Sequence, residues 1–138
     1  MDHDLQRFLD AHEGVYEGAL AELRSGRKTG HWIWFVFPQL AGLGRSWPSQ
    51  HYAIASLDEA RAYLEHPILG ARLRTCAEVV LASDARSAQA IFGELDAMKV
   101  RSSMTLFRRA APTEPVFAAV LERYYGGVPD AATDALLA

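Results

Sequence analysis

The chain has 138 residues, half of them hydrophobic and 22% charged, the balance of one soluble globular domain long enough to bury its own core. Its formal net charge of −3 supplies no global attraction for nucleic acid or an anionic membrane, and no apolar run reaches the length of a membrane span. With Cys76 as its sole cysteine, an intrachain disulfide and a cysteine-based metal site are both excluded. The acidic start Met1-Asp2-His3-Asp4 is unlike a secretory leader, so the expected address is cytoplasmic.

From the amino terminus, Leu5, Phe8, Leu9, Val15, Tyr16, Ala19, Leu20 and Leu23 recur at three-and-four spacing, which predicts one long helix stopped by Gly26. The segment Arg27–Tyr52 breaks that pattern. Within it, Ile33–Phe37 reads as a short strand or a buried turn of helix, and periodicity does not separate the two. As a strand, it would send Trp32 and Trp34 to the same side. Pro38, Gly42, Gly44 and Pro48 make Gln39–Ser49 a loop.

Ser56-Leu57-Asp58-Glu59 is a capping box, and the helix it opens runs through Ala60–Leu64 and breaks near His66-Pro67. A helix from Ile68 to about Ala82 follows, with Leu69, Leu73, Cys76, Val80 and Leu81 on its inner stripe. Ser87–Phe92 is predicted as a short helix ended by Gly93, and Leu95–Phe107 as the next. Thr113-Glu114-Pro115, an N-cap followed by an early proline, starts a helix presenting Val116, Phe117, Val120, Leu121 and Tyr124, which Gly126-Gly127 ends. Asp130–Leu137 closes the chain with a turn of helix. The predicted fold class is mainly α: one domain over residues 1–138, with at most a small strand element near residues 32–37. The basic clusters Arg24/Arg27/Lys28 and Lys99/Arg101/Arg108/Arg109 read first as solvated helix faces.

Several chemistries find no support. Gly42-Leu43-Gly44 lacks the third glycine and the strand–turn–helix setting of a dinucleotide fingerprint. His12-Glu13 has no second histidine at helical spacing, and His31 with His51 lacks a third ligand, so no metal is expected. Ser49, Ser102 and Ser103 have no nucleophile-elbow glycines around them. What stands out is the run His31-Trp32-Ile33-Trp34-Phe35-Val36-Phe37-Pro38-Gln39, followed by Trp47-Pro48-Ser49-Gln50-His51-Tyr52. Flat aromatic faces beside a few fixed hydrogen-bonding groups suit a pocket for a planar, polar ligand; the alternative is that the aromatics fill the core.

Two polar groups carry the same choice. Ser49-Gln50-His51-Tyr52 opens a helix or turn after the glycine loop, either as a plain cap or with amides offered to a phosphate or sugar oxygen. Asp96, Lys99 and Ser103 share one helix face at three- and four-residue spacing, with Arg101 nearby. An inward lysine beside two serines, indifferent helix formers, marks either close helix packing or an anchor for a phosphate or ribose.

His31–Gln39, Gly42-Leu43-Gly44, Tyr52-Ala53-Ile54, Leu69-Gly70 with Arg72-Leu73, and Lys99 with Arg101–Phe107 together resemble the uncharacterised-domain family numbered 1810. The resemblance covers nearly the whole chain, from Leu5 to Gly127. That family looks like a distant relative of the YbiA-like or NADAR proteins, which are mainly α-helical and associated with NAD and ADP-ribose. The relationship implies a small nucleotide-like ligand such as ADP-ribose, with ADP-ribosylated nucleic acid as a second partner class, no membrane and no cofactor. It implies an N-glycosidase or ADP-ribosyl glycohydrolase-like hydrolase, with a non-catalytic binding module for NAD-related metabolites and a helical protein-interaction domain as the alternatives.

The relatives carry a Trp-Pro-Thr-Ser-Glu-His-Tyr type of segment, which Trp47-Pro48-Ser49-Gln50-His51-Tyr52 matches with Gln50 in the glutamate's place. Cleavage of an N-glycosidic bond passes through an oxocarbenium-like state that a carboxylate usually stabilises. Gln50 can neither take a proton nor bear charge. The candidate catalytic set is therefore His51, Asp96 and Gln50. The candidate ligand-binding set is His31, Trp32, Trp34, Phe35, Gln39, Trp47, Ser49, Lys99, Arg101 and Ser103.

Overall fold

A computed structural model describes residues 3–138; the acidic start read above begins outside them, at Met1 and Asp2. The described residues form nine helices: α1 Gln6–His12, α2 Tyr16–Arg24, α3 Ile33–Val36, α4 Trp47–His51, α5 Leu57–Glu65, α6 Leu69–Ala82, α7 Ala88–Ala110, α8 Pro115–Tyr125 and α9 Ala131–Leu137. The fold class is mainly α. Among the described residues, extended pairing is limited to an isolated parallel bridge between Leu40 and Ile54. No helix among them is long and apolar enough to cross a membrane.

The apolar periodicity from Leu5 to Leu23 is real, but one helix does not carry it. Glu13 turns to extended geometry (φ −60°, ψ 123°), so α1 and α2 are separate elements joined at Glu13-Gly14. Both keep their apolar side inward: Phe8 on the first, Tyr16, Ala19, Leu20 and Leu23 on the second. The Ile33–Phe37 ambiguity resolves as the turn of helix α3, which buries Ile33 and Val36 and packs against α1, α6 and α7. With helical rather than strand geometry, Trp32 and Trp34 do not face the same environment: Trp32 is buried and Trp34 half-buried.

Further on, Ser56 caps α5 by accepting from the Glu59 amide at 3.2 Å, half of the expected capping box, while the Glu59 carboxylate reaches one residue further back and accepts from the Ala55 amide at 2.8 Å. The two helices expected on either side of Gly93 are both present; α7 takes them together, and the chain leaves helical geometry between them at Gly93, with φ 79° and ψ 169°. That conformation is open essentially to glycine alone. Helix α7 packs against α5, α8 and α9, while α6 packs against α2, α5 and α8. Between them lies a core that includes Phe8, Phe37, Tyr63, Phe107 and Phe117. Cys76 sits inside it, and burial pushes its thiol up to about 12, which leaves it a small core residue.

Candidate functional site

The loop before α4 is tied down at its base. The Ile54 amide donates to the Gln39 carbonyl and the Ala41 amide to the Ile54 carbonyl, both at 2.8 Å. Helix α4 begins at Trp47, three residues earlier than a Ser49 cap would place it, because Ser46 is its cap. The Ser49 amide donates to Ser46 Oγ at 3.3 Å, and Ser46 Oγ donates to Ser49 Oγ at 2.8 Å. The Ser49 amide, read from the sequence as an anchor for a phosphate, is thus already taken. Ser49 itself turns to a cleft of about 280 Å³. Gln39, Leu43 and Gly44 of the loop form one side; Leu95, Met98, Lys99 and Ser102 of α7 form another; Asp130 and Ala132 close the end.

Asp96 and Lys99 meet as the helical spacing predicts, with Lys99 Nζ donating to Asp96 Oδ1 at 3.2 Å. The Lys99 ammonium also lies 5.7 Å from the centroid of the Trp34 ring, within reach of a cation–π attraction. Two polar atoms of this region, Trp34 Nε1 and Ser103 Oγ, are buried without a hydrogen-bond partner. Such groups are rare enough in folded proteins that each needs a reason. Ser103 lies one helical turn beyond Lys99 in α7, and Trp34 lies in α3.

Behind this junction is a second lysine that sequence reading placed on a solvated face. The Lys28 side chain is only 7% exposed, and its Nζ lies 2.6 Å from Asp96 Oδ2. It also donates to the Gly30 carbonyl and lies 5.0 Å from the Trp32 ring centroid. Glu22 organises the same turn, accepting from the Thr29 amide (2.6 Å), the Gly30 amide (2.8 Å) and Trp32 Nε1 (3.1 Å). Burial opposes ionisation of Glu22, but hydrogen bonds from Gly30, Thr29 and Trp32 outweigh it and hold the carboxyl below its usual range. Trp32, buried and bonded to Glu22, therefore supports the turn.

Asp130 is likewise absent from the sequence-derived set. Its Oδ2 accepts from the Thr133 amide at 3.0 Å and from Thr133 Oγ1 at 2.6 Å, and its own amide donates to Thr105 Oγ1 at 2.9 Å. The result is a rigidly held carboxylate in the cleft wall.

The remaining candidates lie elsewhere. Arg101, two residues from Lys99 and so on another side of α7, donates to the Val128 carbonyl at 3.0 Å and sits over Tyr125. His31 and Gln50 are exposed. The His51 ring stacks on that of Trp47, with centroids 4.5 Å apart and planes 11° apart. His51 lines a separate hollow with Arg7, Asp10 and Tyr52. The structure therefore gathers Gln39, Ser49 and Lys99 at one cleft, with Asp96, Trp34 and Ser103 adjoining, and sets His51 apart from them. Phe35 belongs with the His51 side: its carbonyl accepts from His12 Nε2 at 2.6 Å, and its ring lies 5.2 Å from that of Tyr52. Among the described residues no group of three or more His, Cys, Asp or Glu side chains is placed to hold a metal ion.

No curated protein matches the chain. A solved structure, that of the conserved hypothetical protein Rv1873 from Mycobacterium tuberculosis, is 52% identical and superposes with a TM-score of 0.95, covering 97% of this chain and 96% of that one. The family described as "protein of unknown function (DUF1810)" matches residues 2–137. By that match, which spans the loop, the cleft and the whole of α7, the chain belongs to the DUF1810 family.

Proposed function

We propose that the cleft between the 39–49 loop and α7 binds an ADP-ribose-like or otherwise phosphorylated ribosyl ligand, and that the chain is a distant member of the YbiA-like or NADAR superfamily. The observation that carries this is the Lys99 ammonium in the lining of the cleft, together with the polar side chains of Gln39, Ser49 and Ser102. A phosphate suits such a set, since charge-assisted bonds to an ammonium are about twice as strong as neutral ones. Local attraction of this kind does not require a basic protein. At the far end Asp130 offers a fixed carboxylate, the acceptor a sugar hydroxyl needs.

Of the readings with this ligand class, the non-catalytic binding module is the better supported. His51 faces another hollow, Gln50 is exposed and cannot exchange a proton, and both oxygens of Asp96 are engaged by lysines. An N-glycosidase would have to free Asp96 or recruit Asp130.

A thermal-shift series with ADP-ribose, NAD, nicotinamide mononucleotide and ribosyl phosphates tests the proposal, because a ligand that binds only the folded state raises the melting temperature. A shift with ADP-ribose that disappears in Lys99→Ala is the expected result. Lys99→Ala itself should cost under about 1 kcal/mol, as its ion pair is partly exposed. No shift with any compound rejects the ligand class. Release of free base, followed by chromatography, would move the assignment to the hydrolase.

A further inference from the structure

Lys28, Asp96 and Lys99 form a linear array in which one carboxylate is shared by two ammonium groups. The two lysines are not equivalent. Lys28 is enclosed: its side chain is 7% exposed, it lies 2.6 Å from Asp96, and the Gly30 carbonyl and the Trp32 ring take up its remaining surface. Lys99 is 26% exposed, makes the longer 3.2 Å contact, and borders the cleft. We infer that Lys28 is a positioning residue that acts through Asp96: by satisfying the carboxylate permanently, it leaves Lys99 free to exchange Asp96 for an anion in the cleft.

The inference rests on the anion-binding reading above, and the reasoning is one of competition. Asp96 is the resident anion of Lys99, and an incoming phosphate must displace it. Together the three groups carry one net positive charge, so one ammonium is in excess over the carboxylate. The enclosed one would lose its contacts with Asp96, the Gly30 carbonyl and the Trp32 ring on leaving, and charges in such a setting are costly to separate. The exposed one is therefore the mobile member. Without Lys28, Asp96 would have Lys99 as its remaining ammonium partner, and the array would be electrically closed. Lys99 would then be held on Asp96 and withheld from the cleft, although Lys28 itself touches no ligand.

Two measurements test this on the full chain. In the first, calorimetric titration with ADP-ribose and with inorganic pyrophosphate compares the wild type, Lys28→Met, Asp96→Asn and the double variant. Lys28→Met should weaken both probes by about tenfold, the size of one charge-assisted hydrogen bond. Asp96→Asn should strengthen them, and the double variant should return to near the wild-type affinity, a rescue that a merely structural role for Lys28 would not produce. Equal affinity of Lys28→Met and wild type, or a double variant as weak as Lys28→Met, overturns the inference while leaving the binding site intact. A wild type that binds neither probe overturns the anion site and the inference together.

The second measurement needs no ligand. Trace acetylation read by mass spectrometry reports how free the Lys99 amine is. Its rate should fall in Lys28→Met and rise in Asp96→Asn, and an unchanged rate in either counts against the inference. Should Lys28→Met fail to fold, the Asp96→Asn arms decide alone.

Discussion

His12 shows how a single side chain can link separate helices, here α1 with α3 and α6. Its ring is buried against Tyr16, its Nε2 donates to the Phe35 carbonyl at 2.6 Å, and its Nδ1 accepts from the Arg72 guanidinium at 3.2 Å. Those partners fix the neutral tautomer with the proton on Nε2. Burial lowers the imidazole's affinity for a proton; the Phe35 carbonyl opposes that and the Arg72 charge adds to it, leaving the group below its ordinary value of 6.5. The unfolded chain then binds the proton more readily, so His12's contribution to stability is complete above about 6.5 and is lost as pH falls below it. Urea unfolding should show lower stability at about pH 5 than at about pH 7.5. In His12→Gln, whose amide can make both bonds without titrating, that part of the decline should vanish. An unchanged slope would mean that His12 is not the group responsible. Glu22 and Asp134, both held below their usual ranges, act in the same direction but only in the more acidic carboxylate region.

Among the elements, α7 carries most of the site and illustrates how a helix can be long without being regular. Ser87 caps it by accepting from the Ala90 amide at 3.1 Å, and its first turns bury Ala88, Ile91 and Phe92. The chain then leaves helical geometry at Gly93 and re-enters it, which sets Leu95, Met98 and Lys99 on the cleft and Ala97, Val100 and Met104 in the core. A methyl group at Gly93 would meet nothing within 4 Å, so the obstacle to a side chain there is the backbone alone. Gly93→Ala should therefore destabilise by about 1–3 kcal/mol, the cost of holding an ordinary residue in a conformation reserved for glycine. Comparing urea midpoints checks this, and a shift under a few tenths would show that the segment relaxes. Gly70 obeys the opposite rule: an added Cβ would lie 2.0 Å from the Leu64 carbonyl oxygen, so there it is close approach of α6 to the end of α5 that excludes a side chain.

At the scale of the molecule, one contiguous buried cluster runs from Phe8 in α1 to Leu121 in α8 and takes in Trp32 and Ile33 at the start of α3. A domain of this size with one core should unfold in a single step. Far-ultraviolet circular dichroism, which follows all the helices, and fluorescence of a Trp47→Phe variant, whose remaining tryptophans Trp32 and Trp34 follow the region of α3, should give superimposable urea transitions. Separate midpoints would show that the α1–α3 region opens on its own.

The helices that the sequence determined by itself are those whose signals are local. The Ser56–Glu59 cap, the inner stripe Leu69, Leu73, Cys76 and Val80, the stop at Gly126 and the Asp96–Lys99 pair all depend on residues a few positions apart. Propensity, capping and helical spacing act over that range. The break at Glu13 falls beside Gly14, whose φ of 73° is a local stop that the apolar spacing concealed; the helical choice for Ile33–Phe37 was decided by packing, since apolar spacing is compatible with either outcome and the neighbours α1, α6 and α7 lie outside that stretch. The site was decided in the same way. Lys28 and Asp96 are far apart along the chain, as are Thr105 and Asp130, yet each pair is in contact. Ser49 and His51 are separated by one residue, yet face different hollows. Which charges meet across such distances depends on how the helices pack, and that energy belongs to no local stretch of sequence.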